Sequence, residues 1–293
     1  MSNLRRVMWN GTVRALPLAE QPHATQLAGC EALTLTPSDY VTWLAHSIST
    51  RDMRAMAADA SVAITHLDPL VRWTDAWRPE LPGDEAFPVD IVGFDLDDFF
   101  RMAGALEVQS FTAWAGFARG RYTRAQIVDA FGNLCRRAAT EGLRCDLEFM
   151  PVFGIPDLQT ASDIISQVGA PNSGIVLDLW HYVRSGLDPA LLSTIPGERI
   201  TAVQLCDASL TLPAGTSLAA DGLTNRQMPG DGGFPIADIL ATLQATGGLN
   251  NCGIELFSPH NDRLSADAIG SACKQCLDML VPHPSPQTKR NVS

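Results

Sequence analysis

The chain has 293 residues, of which 46% are hydrophobic and 18% charged, and its formal net charge is −11. That length suits one α/β barrel better than one sandwich, and no low-complexity or charged block marks a disordered half. The acidic balance argues against a nucleic-acid partner, and no apolar run has the length of a signal peptide or a membrane span. The seven cysteines are scattered and odd in number, which fits reduced thiols and a cytoplasmic location.

Taken in chain order, β-rich apolar runs alternate with stretches of 3.6-residue periodicity. Strands are predicted over residues 6–9, 32–35, 62–66, 108–111, 144–149, 174–179, 200–206 and 252–257. Helices are predicted over 16–27, 40–59, 95–104, 124–141, 158–168, 189–193, 236–245 and 265–280. Eight such units in one chain imply a (β/α)8 barrel, a single domain over residues 1–280 with a loose tail at 281–293. Two connections are long, 73–92 after the third strand and 207–234 after the seventh. Both leave the C-terminal face, where barrel enzymes keep their chemistry.

Several chemistries are absent from the pattern. The only lysines, Lys274 and Lys289, lie in the last helix and the tail, far from any barrel mouth that could host a Schiff base. There is no P-loop and no GxSxG. Cys273 and Cys276 form a CxxC inside a helical run with no second pair, so helix packing is the expected role.

The ends of strands five to eight read CDLEFMP, VLDLWH, VQLCDAS and GIELFSP. Each carries one oxygen-bearing side chain near its C-terminal end: Glu148, Asp178, Gln204 and Glu255. At matched height on neighbouring strands these would gather four oxygen ligands, three of them mutually repelling carboxylates that a cation would reconcile. An all-oxygen set favours Mn²⁺ or Mg²⁺ over Co²⁺ or Zn²⁺. Asp146, one layer below Glu148, is expected in a buried network, and Asp207 as a loop cap.

These motifs, with PNSGIVLDLWH and RQMPGDG, resemble the xylose isomerase-like barrel superfamily and its sugar phosphate isomerase/epimerase group. The likeness is specific over residues 144–280, and elsewhere it extends only to the strand–helix order. The resemblance implies that Glu148, Asp178, Gln204 and Glu255 hold the metal and that Glu148 and Glu255 also act as the acid/base pair. It places His181 of the D-x-x-H pattern on a substrate oxygen, and Arg226 on the substrate from the seventh loop. Relatives often have histidine at Gln204; hydroxypyruvate isomerase and 3-dehydroshikimate dehydratase are similar in using glutamine. Sugar 3-epimerases often carry a second glutamate where this chain has Gly154. The zinc- and histidine-rich DNA-repair endonuclease branch fits poorly with six histidines and a net charge of −11.

A clamped carbonyl and neighbouring hydroxyl make the adjacent C–H acidic. Returning the proton gives isomerisation or epimerisation; loss of a β-hydroxyl gives dehydration, with His181 as proton shuttle. Trp9, Trp114, Trp180 and Phe257 fall near strand ends, and those that line the cavity, Trp114 among them, would favour a ring-bearing small-molecule substrate. His66 and Asp68, at the end of the third strand, and Arg72 just after it could also meet substrate, although a lone histidine there is more often structural. A non-catalytic binding barrel is the contrary reading. It would hold no metal and would not change in stability when Glu148 and Glu255 become glutamine. A homodimer remains open.

Overall fold

The computed structural model describes residues 4–75, 80 and 93–281, so most of the 73–92 connection and all of the expected tail beyond Val281 lie outside it. Eight parallel strands close into a barrel in sequential order: β1 (Arg5–Met8), β2 (Ala32–Leu35), β3 (Ala63–Leu70), β4 (Ser110–Trp114), β5 (Arg144–Glu148), β6 (Ser173–Asp178), β7 (Ile200–Leu205) and β8 (Asn251–Ile254). Side chains alternate along each strand, and the two parities have different companions. Leu33, Leu67, Phe111, Leu147, Leu177 and Val203 point outward and merge with the helices into one large core. Val7, Trp9, Ala32, Val176 and Ala202 form a separate small cluster inside the barrel, where one tryptophan fills the space left by two alanines.

The helices are α1 (Asn10–Val13), α2 (Gln21–Leu27), α3 (Pro37–Ala45), α4 (Thr50–Asp59), α5 (Leu96–Leu106), α6 (Arg124–Thr140), α7 (Leu158–Val168), α8 (Leu179–Arg184), α9 (Pro189–Thr194), α10 (Leu218–Thr224), α11 (Ile236–Thr246) and α12 (Ala266–Leu280). Three departures from the sequence expectation have local causes. The helix expected over 40–59 is two helices, because Ser47 takes φ 63° and Ser49 starts α4 with a reciprocal cap to Asp52. The fourth strand begins two residues late. Val108 belongs to the end of α5, where Glu107 is left-handed and the Val108 amide donates to Ala103, so an apolar cap residue imitates a strand start. The third strand continues to Leu70, past Pro69, with a register shift against β4 between Leu67 and Leu70.

The last helix is tied to the first strand by Arg6. Its guanidinium is almost fully buried. Nε and Nη2 donate to the Val281 carbonyl at 3.1 and 2.7 Å, Nη2 to Leu277 at 3.1 Å, and Nη1 to Asp278 at 2.7 Å. It thereby satisfies the Val281 carbonyl just past α12 and gives a second donor to the Leu277 carbonyl, which already accepts from the Val281 amide. Replacing Arg6 by methionine should therefore cost about 1–3 kcal/mol in urea unfolding, the cost of leaving a buried carbonyl without its donors, since Asp278 is half exposed and can meet water. Arg6→Lys should recover little of it, because an ammonium cannot reproduce the planar fork.

Candidate functional site

Each candidate side chain is placed by the barrel's stagger. Glu148 pairs in register with Val176, Asp178 with Gln204, and Gln204 with Gly253. A barrel with a shear of about eight residues requires about one residue of register per strand to stay at constant height. The two-residue steps from Val176 to Asp178 and from Gly253 to Glu255 supply that climb. Glu148, Asp178, Gln204 and Glu255 therefore stand on one level at the C-terminal mouth, all four inward and buried.

The D-x-x-H pattern has a local explanation. Asp178 ends β6 and is the N-cap of α8, its Oδ1 accepting from the His181 amide at 3.0 Å. One turn of helix then brings the His181 ring back over the mouth. His181 Nε2 lies 3.5 Å from Glu148 Oε1 and 3.7 Å from Asp178 Oδ2. Candidate ligand atoms of Glu148, Asp178 and His181 lie within 4.8 Å of one another, the one such His/Cys/Asp/Glu group among the described residues.

Arg226 arrives from the connection between β7 and β8 and is buried among the acids. Its Nη1 donates to Asp178 Oδ2 at 2.6 Å and to Glu255 Oε2 at 3.0 Å, while its Nε donates to the Gly222 carbonyl at 2.9 Å. Gln204 Nε2 donates to Glu255 Oε1 at 3.1 Å, leaving Gln204 Oε1 buried with no hydrogen-bond donor. Turning the amide over would set its oxygen against the Glu255 oxygen, so the assigned orientation is the favourable one.

The charges are unequal. Burial pushes Asp178 up, but the Arg226 charge, the neighbouring His181 and hydrogen bonds more than reverse it, leaving its carboxyl at about 2. Burial, then the charges of Asp68, Glu255 and Asp178, drive Glu148 well above the usual carboxylate range. Burial also raises Glu255 strongly; Arg226 opposes this, and Asp178 and Asp68 reinforce it. Burial lowers His181 to about 4, so its imidazole is neutral at pH 7, with Nδ1 buried and unpaired.

Above this floor lies a cavity of about 310 Å³, at the small end of ligand sites. Trp114, Phe153, Trp180 and Phe257 make an aromatic wall, and Leu218, Gly222 and Leu223 of α10 form part of the roof. Sequence reasoning missed α10 because it lies in a Gly-, Pro- and Asp-rich run; Ser217, whose hydroxyl accepts from the Ala220 amide, was the available signal. It missed Asp221 as well. That carboxylate is buried on α10 and accepts from Trp180 Nε1 at 2.8 Å and Arg184 Nε at 2.9 Å, pinning the roof to α8.

The remaining candidates divide cleanly. Trp9 and His66 lie below the cavity, rings 5.3 Å apart, and neither lines it; nor does Arg72. Asp68 does line it. Asp146 bonds to the Thr201 hydroxyl at 2.7 Å, deep in the barrel. Asp207 accepts from the amides of Ala208, Gly230 and Phe234, capping its loop. Cys273 and Cys276 are buried, unbridged helix-packing residues. A larger groove of about 990 Å³ on the flank, between the β7–β8 connection and α12, holds none of Glu148, Asp178, Gln204 or Glu255.

A family model described as the xylose isomerase-like TIM barrel matches residues 23–275. The chain belongs to that family. Among curated proteins, 3-dehydroshikimate dehydratase of Pseudomonas aeruginosa is 28% identical over 253 residues, 82% of this chain and 36% of that protein. Inosose isomerase of Bacillus subtilis is 28% identical over 156 residues, 52% of this chain and 54% of the relative. The chain thus spans about a third of the length of the dehydratases it matches. Among solved structures, the IOLI protein crystallised with a bound zinc atom superposes with a TM-score of 0.79 at 19% identity, covering 97% of this chain and all of that one. A xylose isomerase-like TIM barrel/4-hydroxyphenylpyruvate dioxygenase fusion protein gives 0.77 at 23% identity, over 95% of this chain and 43% of that one. Both likenesses are of fold. No helix among the described residues is long and apolar enough to cross a membrane.

Two outcomes follow from the electrostatics. Arg226→Met leaves Asp178 and Glu255 without their cation and should cost about 3–5 kcal/mol at pH 7. The loss should shrink at pH 5, as protons replace the guanidinium, and on adding Mn²⁺; urea unfolding under the three conditions reads it. His66 is held neutral by burial down to about pH 3, whereas the unfolded imidazole takes its proton near 6.5. The unfolded state binds more protons in between, so this stability is complete above pH 6.5 and is lost as pH falls towards 3. Between pH 6 and 4 the wild type should lose up to about 1.4 kcal/mol per pH unit more than His66→Asn.

Proposed function

We propose that the chain is a divalent-metal-dependent enzyme that removes a proton beside the carbonyl of a cyclic or sugar-like polyhydroxylated small molecule. The observation that carries this reading is the imbalance at the mouth. Asp68, Glu148, Asp178 and Glu255 lie near one another there, the Arg226 guanidinium pairs with Asp178 and Glu255 alone, and Gln204 Oε1 beside them is a buried acceptor with no donor. Such a donor set fits a cation, and Glu148, Asp178, Gln204 and Glu255 are the residues that would hold it. Hard oxygen donors favour Mn²⁺ or Mg²⁺, with Zn²⁺ or Co²⁺ as alternatives. A divalent ion bound there supplies Lewis acidity, lowering the pKa of the C–H next to a coordinated carbonyl.

The chain's own residues then move the proton. One of Glu148 and Glu255 accepts it from carbon, and the other stands on a neighbouring wall of the cavity to deliver a proton to a different carbon or to the other face. His181, neutral and adjacent to Glu148, is placed to pass a proton to a substrate oxygen. Arg226 reaches the same volume and can hold an anionic or carbonyl oxygen.

The wall chemistry narrows the substrate. Among the described residues the cations lining the cavity are Arg14 and Arg226, and both are already paired, Arg14 with both oxygens of Asp262 at 3.1 and 2.8 Å. A phosphorylated sugar would bring negative charge with no unpaired cation to meet it. A flat, uncharged or singly charged ring against Trp114 and Phe257 suits the wall better.

Isomerisation or epimerisation is the leading outcome. Dehydration is a close second, favoured by the dehydratase relatives matching 82% of this chain where inosose isomerase matches 52%. Incubation with inosose or 3-dehydroshikimate in D₂O separates them. Deuterium wash-in without loss of water identifies the isomerase, and a rising ultraviolet absorbance from the dehydrated ring identifies the lyase. Chelation should abolish either signal and Mn²⁺ or Mg²⁺ should restore it, while Glu148→Gln and Glu255→Gln should each lower it roughly 10²–10⁴-fold. Metal-free protein whose stability ignores both substitutions would instead identify a non-catalytic binding barrel.

A further inference from the structure

Among the described residues the carboxyls lining the cavity are Asp68, Glu148 and Glu255, and the reaction above gives Asp68 no task. It shares the inward parity of His66 one step higher on β3, and the register shift between Leu67 and Leu70 re-aims the strand where Asp68 leaves it. β3 and β7 are four strands apart in a ring of eight, hence opposite one another. Gln204 Nε2 nevertheless comes within 3.5 Å of Asp68 Oδ2, so this pair reaches across the axis, with Asp68 lining the cavity.

Among the described residues its other hydrogen-bond partner is the Thr112 side chain. No arginine, lysine or histidine is paired with it among the described residues. Arg226 serves Asp178 and Glu255, and His181 serves Glu148 and Asp178. A carboxylate offers about four lone-pair sites, and two donors, one of them at the limit of hydrogen-bond distance, leave about half of that capacity unused. The unused capacity belongs to a group that lines the cavity. Enclosed acceptors without donors are costly, and a polyhydroxylated ring in this cavity carries the missing donors itself.

We propose that Asp68 is a specificity-determining residue whose carboxyl accepts a hydrogen bond from a ring hydroxyl of the substrate, on the wall opposite β7. This rests on the reading of the cavity as a polyol site. It assigns to β3 the recognition of a hydroxyl that neither the metal ligands nor Arg226 addresses, so deoxygenation of the ring at that position should be penalised.

The test compares wild type, Asp68→Asn and Glu148→Gln, each titrated with Mn²⁺ and assayed with inosose and 3-dehydroshikimate. Asp68→Asn should bind Mn²⁺ within about twofold of wild type and raise KM at least about tenfold, with the smaller part of the loss in kcat. Glu148→Gln should lose Mn²⁺ affinity. Mn²⁺ affinity falling in Asp68→Asn as it does in Glu148→Gln would make Asp68 a metal ligand and overturn the proposal, as would an unchanged KM. If Asp68→Asn does not fold, Thr112→Val, which removes the donor that orients the carboxyl, should raise KM about threefold with Mn²⁺ binding intact, and no rise overturns the proposal. If wild type turns over neither ring, the proposed reaction fails for both, and inositol, which has no carbonyl, serves as the binding probe. A thermal shift with inositol that is lost in Asp68→Asn supports the assignment; a shift that persists there, or is absent from wild type, overturns it.

Discussion

Four carboxyl groups, those of Asp68, Glu148, Asp178 and Glu255, crowd together at the barrel mouth, where the Arg226 guanidinium pairs with the last two, and the rest of the site is arranged around that excess of acid. Two like charges about 4 Å apart repel by about 4 kcal/mol at the effective dielectric of such a place. One guanidinium cannot offset three further carboxylates. The protein concentrates its compensation on Asp178, which receives the Arg226 charge and the His181 amide and is the acid held lowest. Glu148 and Glu255 are left to keep their protons or to meet a cation. Two carboxyls with raised proton affinity on either side of a firmly ionised third is an arrangement suited to proton traffic.

The scaffold makes that crowding geometrically unavoidable. In a closed parallel barrel every strand delivers its C-terminal inward residue to the same ring, and the stagger that closes the barrel also levels the ring. Acids on β3, β5, β6 and β8 therefore converge although they are far apart in the chain. The opposite end carries the stabilising chemistry: Arg6 on β1 fastens the end of α12 away from the mouth. Separating the two leaves the mouth free to hold charges that a purely structural design would avoid.

Much of this was legible from strand ends. A buried apolar run that terminates in an acid, repeated on consecutive strands, has few structural explanations, so Glu148, Asp178, Gln204 and Glu255 could be picked out together. The D-x-x-H spacing was legible for a different reason, because an N-cap and the residue three positions on face each other whatever the fold. Features that depend on interrupted periodicity were not. Pro69 made Asp68 look like the end of a strand that in fact runs on to Leu70. Val108 looked like a strand and serves a helix end. The seven-residue α10 has too few turns to show a period, and its role depends on tertiary contacts with Trp180 and Arg184.

The β7–β8 connection shows how such a short helix can matter. Arg226 faces the acids with Nη1 and the Gly222 carbonyl of α10 with Nε, so one planar group touches both the floor and the roof of the cavity. Asp221, one residue before Gly222, ties the same helix to Trp180 and Arg184 of α8, the helix that Asp178 caps. A Cβ at Gly222 would lie 3.1 Å from the Trp180 ring, closer than ordinary contact, so a side chain there would press the ring back by a few tenths of an ångström. Arg226 is thus shared between the floor and the hold on the roof. Any ligand that draws Arg226 towards itself must act on the hydrogen bond to Gly222 and on the packing of α10 over Trp180. Charge at the floor and enclosure at the roof are in this way one mechanical unit, built from residues 178 to 184 and 218 to 226.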